Sequence, residues 1–337
     1  MRAIGYRTPG DIDAPESLLD IDLPRPEPGP HDLLVEVRAV SVNPVDTKVR
    51  RRAAAEGDGW KVLGWDAAGI VVEVGTEVSR FAVGDEVFYA GSLDRQGTNA
   101  EYHAVDARIV GRKPASIDMA QAAALPLTAI TAWEALFDRL DVRKAVPGAA
   151  PAVLIIGGAG GVGSIAVQLV RQLTDLTVIA TASREETTAW VRDLGVHHVV
   201  DHARPIAAQV EALGLGAPAF VFSTTATDRH LADIAALIAP QGRWALIDDP
   251  GVVDIAPFKR KSVSTHWEFM FTRPVFRTAD IEAQGVLLDE VSRLIDAGVL
   301  KTTLGEHFGV INAANLRRAH ALIESGTARG KVVLEGF

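Results

Sequence analysis

Cysteine is absent from all 337 residues, which removes disulfides and thiolate metal ligands together. Long apolar runs are missing too. No segment approaches the ~18 apolar residues of a membrane-spanning helix, and Met1-Arg2-Ala3-Ile4-Gly5-Tyr6-Arg7 lacks the apolar core of a signal peptide. Positive charge is in deficit: 34 Lys and Arg stand against 43 Asp and Glu, a formal net charge of −9. That balance argues against a general nucleic-acid or anionic-membrane surface. These absences leave a soluble, cytoplasmic, globular chain as the expectation. With 48% hydrophobic residues the chain can bury a sizeable core, and its length suits about two domains.

The stretch from Val153 to Val170 organises the rest. Val153-Leu154-Ile155-Ile156 is a short apolar run. It leads through Gly157 into glycines at 158, 160 and 163, and then into apolar residues at helical spacing. Strand, tight turn and helix start in that order form a dinucleotide-binding crossover. One glycine permits the turn, one lets the backbone approach a pyrophosphate, and one lets helix and strand pack closely. Gly158, Gly160, Gly161, Val162 and Gly163 are therefore the expected phosphate cradle, with unpaired helix N–H groups facing the anion. A glycine-rich structural loop is the competing reading.

Before this point, residues 1–125 read as many short strands punctuated by Gly and Pro. Leu33–Val40 and Leu63–Gly75 are the clearest of them, and the pattern predicts a twisted, partly open barrel. Asn43-Pro44 favours a turn followed by a short helix. From Ala120 to Leu140 the period becomes helical. Beyond the glycine loop, strands at 177–182, 198–201, 220–223 and 243–247 alternate with helices at 185–194, 206–213 and 229–238. Such alternation predicts a parallel, doubly wound sheet. The tail carries helices at 281–297 and 313–325 and a last strand, Lys331-Val332-Val333-Leu334.

The second strand of this alternation ends in Ala182-Ser183-Arg184-Glu185-Glu186. Folds selective for NAD place an Asp or Glu there for the ribose 2′-hydroxyl. A hydroxyl and a guanidinium instead suit a 2′-phosphate, so NADPH is the expected cofactor. Ser183 with Glu186 is also a good capping box, the alternative reading. Ser223, Thr224 and Ile247 follow the fourth and fifth strands, where cofactor loops gather.

Asn43-Pro44-Val45-Asp46, Gly64–Gly75, Phe81–Val87, Ala122–Leu136, the glycine loop and Gly330–Leu334 together resemble the medium-chain dehydrogenase/reductase superfamily, in its zinc-free quinone oxidoreductase branch. The resemblance implies a GroES-like catalytic domain over 1–126 and 275–337, and a Rossmann domain over 127–274. It also implies a homodimer, with a small-molecule substrate held between the domains. It makes Thr131, or its neighbour Thr128, the nicotinamide-contacting threonine, a helix cap being the alternative. Asn43 and Asp46 become the catalytic pocket pair, against plain Asn-Pro turn chemistry and a helix cap. Lys331 becomes a cofactor candidate, against a surface strand lysine. Zinc-dependent relatives carry a cysteine near Asn43 and a His-Glu pair at Trp65-Asp66, so no metal is expected. The resemblance implies NADPH-dependent reduction of a quinone or activated alkene. A carbonyl or enoyl-thioester reductase, or a cofactor-binding protein without turnover, are the alternatives.

Overall fold

A computed structural model describes residues 1–337, which divide into two compact units, Met1–Ile130 with Phe271–Phe337 and Thr131–Met270. The first unit opens with β1 (Arg2–Tyr6), β2 (Leu19–Asp22), β3 (Asp32–Val42), α1 (Pro44–Arg52), β4 (Lys61–Val62), β5 (Asp66–Val74) and β6 (Glu86–Ala90). It continues through β7 (Tyr102–Asp106), β8 (Val110–Arg112), α2 (Met119–Ala123) and α3 (Pro126–Trp133), the last running across the division. The helical pattern expected to Leu140 holds, but Glu134–Arg139 winds as a π-helix.

The second unit follows as β9 (Ala150–Ile156), α4 (Gly161–Leu173), β10 (Thr177–Thr181), α5 (Glu185–Asp193), β11 (His198–Val200), α6 (Ile206–Ala212), β12 (Pro218–Ser223), α7 (Thr227–Leu237), β13 (Arg243–Leu246) and β14 (Ser264–Trp267). The chain then returns to the first unit with α8 (Thr272–Phe276), α9 (Ala283–Asp296), β15 (Leu304–His307), α10 (Ala313–Glu324) and β16 (Lys331–Glu335).

In the second unit the six strands lie in the order β11-β10-β9-β12-β13-β14, and every pair is parallel. This is the doubly wound Rossmann order, in which the chain reverses direction of travel beside β9. Leu154, Ile156, Ile179, Val221, Ile234, Trp244 and Phe258 fill the core on one side of the sheet. Trp244 stacks on Phe258 with ring centroids 4.9 Å apart. The sixth strand, β14, adds to the five that the alternation predicts; Ser264-Thr265-His266-Trp267 is a polar edge strand with no buried alternation to mark it.

The first unit is the GroES-like part. Its larger sheet runs β15-β16-β3-β5-β6-β8, with β7 also paired to β3, and the path does not close. Leu33, Leu34, Val35, Val71, Val87 and Phe88 are fully buried in it. Val332 pairs with Val42, and Ser41 pairs with Asp66. These two registers bring the start of β16, the end of β3 and the start of β5 to one place.

Candidate functional site

The glycine loop sits where the sheet reverses. Gly157 turns the chain at φ +84°, a conformation that favours glycine. The turn glycine is thus one residue ahead of the three singled out from spacing. A Cβ on Gly158 would stand 2.7 Å from the Ala180 Cβ of the neighbouring strand, and one on Gly163 would stand 2.7 Å from the Gly158 Cα. Both positions are closed to any larger residue. Gly160 caps α4 without a side-chain hydrogen bond, so no side chain of the cap satisfies the helix's first N–H groups. An uncapped N-terminus behind a glycine cradle fits a pyrophosphate, and Gly160, Gly161, Val162 and Gly163 are the residues that would hold it.

Beyond β10, α5 begins one residue later than the expected capping box requires. Arg184 is its cap residue, and its backbone N–H donates to the Thr187 hydroxyl at 3.2 Å. Ser183 is left out of the cap. Its Oγ instead lies 3.0 Å from His202 Nε2. The Arg184 guanidinium approaches Glu186 at 3.4 Å. His202 was not singled out in the sequence; the signal was there, since it follows the third strand on the same carboxyl edge as Ser183. Ser223 Oγ is buried and accepts the Trp244 indole N–H at 3.1 Å. The Thr224 hydroxyl donates to the Ile156 carbonyl at 2.8 Å, and the Ile247 N–H reaches the Ser223 carbonyl at 3.3 Å.

In the first unit the three strand ends bring Asn43, Asp46, Asp66 and Lys331 together, all 3% exposed or less. The Asn43 backbone N–H donates to Asp46 Oδ2 at 2.8 Å, which caps the start of α1. The Asn43 side-chain amide donates to Asp66 Oδ2 at 2.8 Å and to the Ser41 carbonyl at 3.3 Å. Its Oδ1 accepts from the Lys331 ammonium. Lys331 Nζ also donates to Asp66 Oδ2 at 2.9 Å and to the Val42 carbonyl at 3.4 Å. The second Asp66 oxygen accepts the Leu127 N–H at 2.7 Å.

This geometry departs from two expectations. Lys331 is not a surface lysine: it is buried, and its three N–H bonds end inside the cluster. Asn43 has both amide hydrogens engaged, so it reaches a substrate oxygen only if one of those bonds gives way. The unassigned centre of the cluster is Asp66, which sequence alone marked only as a replaced metal ligand. The Asp46 carboxyl is pushed up to about 7, by desolvation first and by the neighbouring Asp66 charge, against the Asn43 N–H and Lys331, which pull it down. Asp46 Oδ1 is buried without a partner.

Thr128 is buried and donates to the Leu125 carbonyl at 3.1 Å, while Thr131 is a buried residue in the body of α3. Trp65 is 2% exposed. Its indole N–H donates to the Ser92 carbonyl at 3.0 Å, and it meets Phe271 edge to face.

Zinc does not fit the residues at the positions of its usual ligands. A catalytic site needs about three N, S or O ligands around an open position. Here the Trp65 indole is donor-only, the Asn43 amide is spent, and an ammonium already faces Asp66. No group of three His, Cys, Asp or Glu side chains is arranged to hold a metal ion. No helix is long and apolar enough to cross a membrane.

Known proteins agree with this architecture. Residues 29–115 match the alcohol dehydrogenase GroES-like domain, and 194–334 match the zinc-binding dehydrogenase family. A zinc-type alcohol dehydrogenase-like protein of Staphylococcus aureus is 38% identical over 99% of both chains. The solved structure of a Rhizobium etli protein, proposed to be a zinc-dependent alcohol dehydrogenase, superposes with a TM-score of 0.99 at 68% identity, covering 100% of this chain and 98% of that one. The quinone oxidoreductase of Coxiella burnetii follows at a TM-score of 0.81 and 26% identity, over 100% and 99% of the two chains. With the parallel Rossmann sheet, the glycine cradle and the GroES-like sheet all in one chain, the protein belongs to the medium-chain dehydrogenase/reductase superfamily and is an oxidoreductase.

Proposed function

We propose that the protein is an NADPH-dependent reductase of quinones or activated alkenes that works without zinc. The observation that carries the acceptor class is the Lys331 ammonium bound to Asp66 and Asn43, a hydrogen-bonded cluster standing where a Lewis acid would be held. The reduced nicotinamide would supply the hydride. An alcohol substrate has to lose its proton as well, a step that metal polarisation assists. A quinone or enone spreads the developing negative charge, so one or two hydrogen bonds to its oxygen are enough.

In this reading Gly158, Gly160, Gly161, Val162 and Gly163 hold the pyrophosphate, and Ser183 and Arg184 take the 2′-phosphate. Ser223, Thr224 and Ile247 shape the cofactor loops at the strand ends. Thr131, with Thr128 beside it, is the candidate nicotinamide contact. Asn43 and Asp46 stay the candidates for the acceptor side. Asp46 holds a proton over part of the physiological range and fixes the Asn43 backbone, while Lys331 orients the Asn43 amide. Lys331 is a cofactor candidate only if its ammonium leaves the cluster. A homodimer is part of the proposal. The open edge of β14, with Trp267 56% and Phe269 50% exposed, supports it.

The test is a substrate screen on enzyme dialysed against a strong chelator. NADPH oxidation is followed with quinones, enones, enoyl thioesters and aldehydes, and NADP⁺ reduction with simple alcohols. The expected result is an unchanged rate after dialysis, with turnover fastest on a quinone or enone. Alcohol oxidation outrunning every conjugated acceptor, or activity lost with stoichiometric zinc, overturns the reading.

A further inference from the structure

Thr181, at the end of β10, is fully buried. Its Oγ1 accepts the Gly157 N–H at 2.9 Å and lies 3.1 Å from His202 Nδ1. A buried hydroxyl hydrogen needs an acceptor, and the ring nitrogen is the acceptor within reach. Nδ1 is therefore the unprotonated nitrogen, and the neutral ring carries its hydrogen on Nε2. That hydrogen points at Ser183 Oγ, 3.0 Å away. Burial keeps His202 below its usual pKa, helped by Arg229 and Arg184 and opposed by Asp201, so the ring is neutral at physiological pH.

The consequence is a directed chain, from the Gly157 N–H through Thr181 and His202 to Ser183. Because Ser183 accepts from the imidazole, its own hydroxyl hydrogen is available for another partner, and Ser183 is exposed. We propose that His202 is the positioning residue that makes Ser183 a hydrogen-bond donor toward the 2′-phosphate of the adenosine ribose, and so sets the preference for NADPH over NADH. The chain also ties that site to the turn glycine of the pyrophosphate loop. This proposal rests on the NADPH reading of Ser183 and Arg184.

The experiment measures dissociation constants for NADPH and NADH by ligand fluorescence, on wild type, Ser183→Ala, His202→Ala, His202→Gln, the Ser183→Ala/His202→Ala double variant and Arg184→Ala. A hydrogen bond to a charged group corresponds to a loss of about tenfold or more. His202→Ala should weaken NADPH about tenfold and leave NADH unchanged. His202→Gln, which can offer an N–H near the Nε2 position, should recover most of that loss. In the Ser183→Ala background, removing His202 should add nothing, since it acts through the hydroxyl. Equal weakening of both cofactors by His202→Ala makes the residue structural and overturns the proposal. So does a loss of discrimination in Arg184→Ala with none in His202→Ala, a result that leaves the NADPH reading standing. A wild type that binds NADH as tightly as NADPH, with Arg184→Ala changing neither, overturns that reading and the proposal with it.

Discussion

Replacing Lys331 by methionine removes a buried cation and keeps the length of the side chain. Its ammonium lies 2.9 Å from Asp66 Oδ2, with Lys331 3% and Asp66 0% exposed. At an effective dielectric of about 20 that attraction is about 6 kcal/mol. The cost of desolvating both ions offsets much of it, so the pair adds little net stability. Losing one partner is another matter, because Asp66 is then a buried carboxylate hydrogen-bonded only to the Asn43 amide and the Leu127 N–H, with the Asp46 carboxyl nearby. The expected cost is about 3–5 kcal/mol, or on the order of 6–20 °C in Tm for a domain of this size. Asn43 also loses its acceptor bond, and Asp46 loses the cation that pulls its pKa down. Urea unfolding of Lys331→Met, Asp66→Asn and the double variant measures the effect. The double variant should be more stable than the sum of the single losses by about 0.5–3 kcal/mol. Carboxyl NMR titration should place Asp46 above about 7 in Lys331→Met. A single variant within about 1 kcal/mol of wild type, with Asp46 unmoved, refutes the cluster as described.

Two buried histidines contribute to the acid limit of stability. Desolvation lowers His103 to about 4 and His320 to about 3, with Arg95 and Arg50 respectively pushing the same way. Both are neutral when folded and bind protons on unfolding, so their contribution is complete above pH ~6.5 and is lost as pH falls toward the folded values, at about 1.4 kcal/mol per pH unit for each. Replacing His103 with a neutral residue should flatten the acid limb of a stability-against-pH curve; an unchanged slope counts against the assignment. Gly163→Ala drives a methyl into the Gly157 carbonyl and the Gly158 backbone. Nicotinamide nucleotide binding should fall by well over tenfold, measured by cofactor fluorescence, and near-wild-type affinity would mean the loop yields easily.

The parallel unit was the more legible half of the sequence. Its helices and its first five strands alternate in period, and a strand buried on both faces announces itself as an apolar run such as Val153–Ile156. Positive φ at Gly157 did not show, because spacing marks glycines without assigning their torsions. Polar clusters built across strands were the least legible. Asp66 and Lys331 are 265 positions apart, and only the registers Val332 with Val42 and Ser41 with Asp66 bring them together. His202 belongs to the same class: it sits at the end of one strand and acts on a residue past the end of another.

The placement of β16 has a consequence for biosynthesis. The nucleotide unit is one continuous segment, whereas the sheet of the first unit pairs β3 with a strand made 288 positions after Asn43. Domains fold as units while the chain emerges, so the later-synthesised Thr131–Met270 unit has all its strands before the earlier-synthesised one is complete. Until Lys331 leaves the ribosome, Asn43 and Asp66 have no cation, and burying that carboxylate is unfavourable. The first unit therefore waits, with the Ala39–Val42 end of β3 an open edge, for its final strand. Chaperone dependence and aggregation in this protein should follow that interval, and substitutions in β16 should lower yield in the cell before they lower the activity of the molecules that do fold.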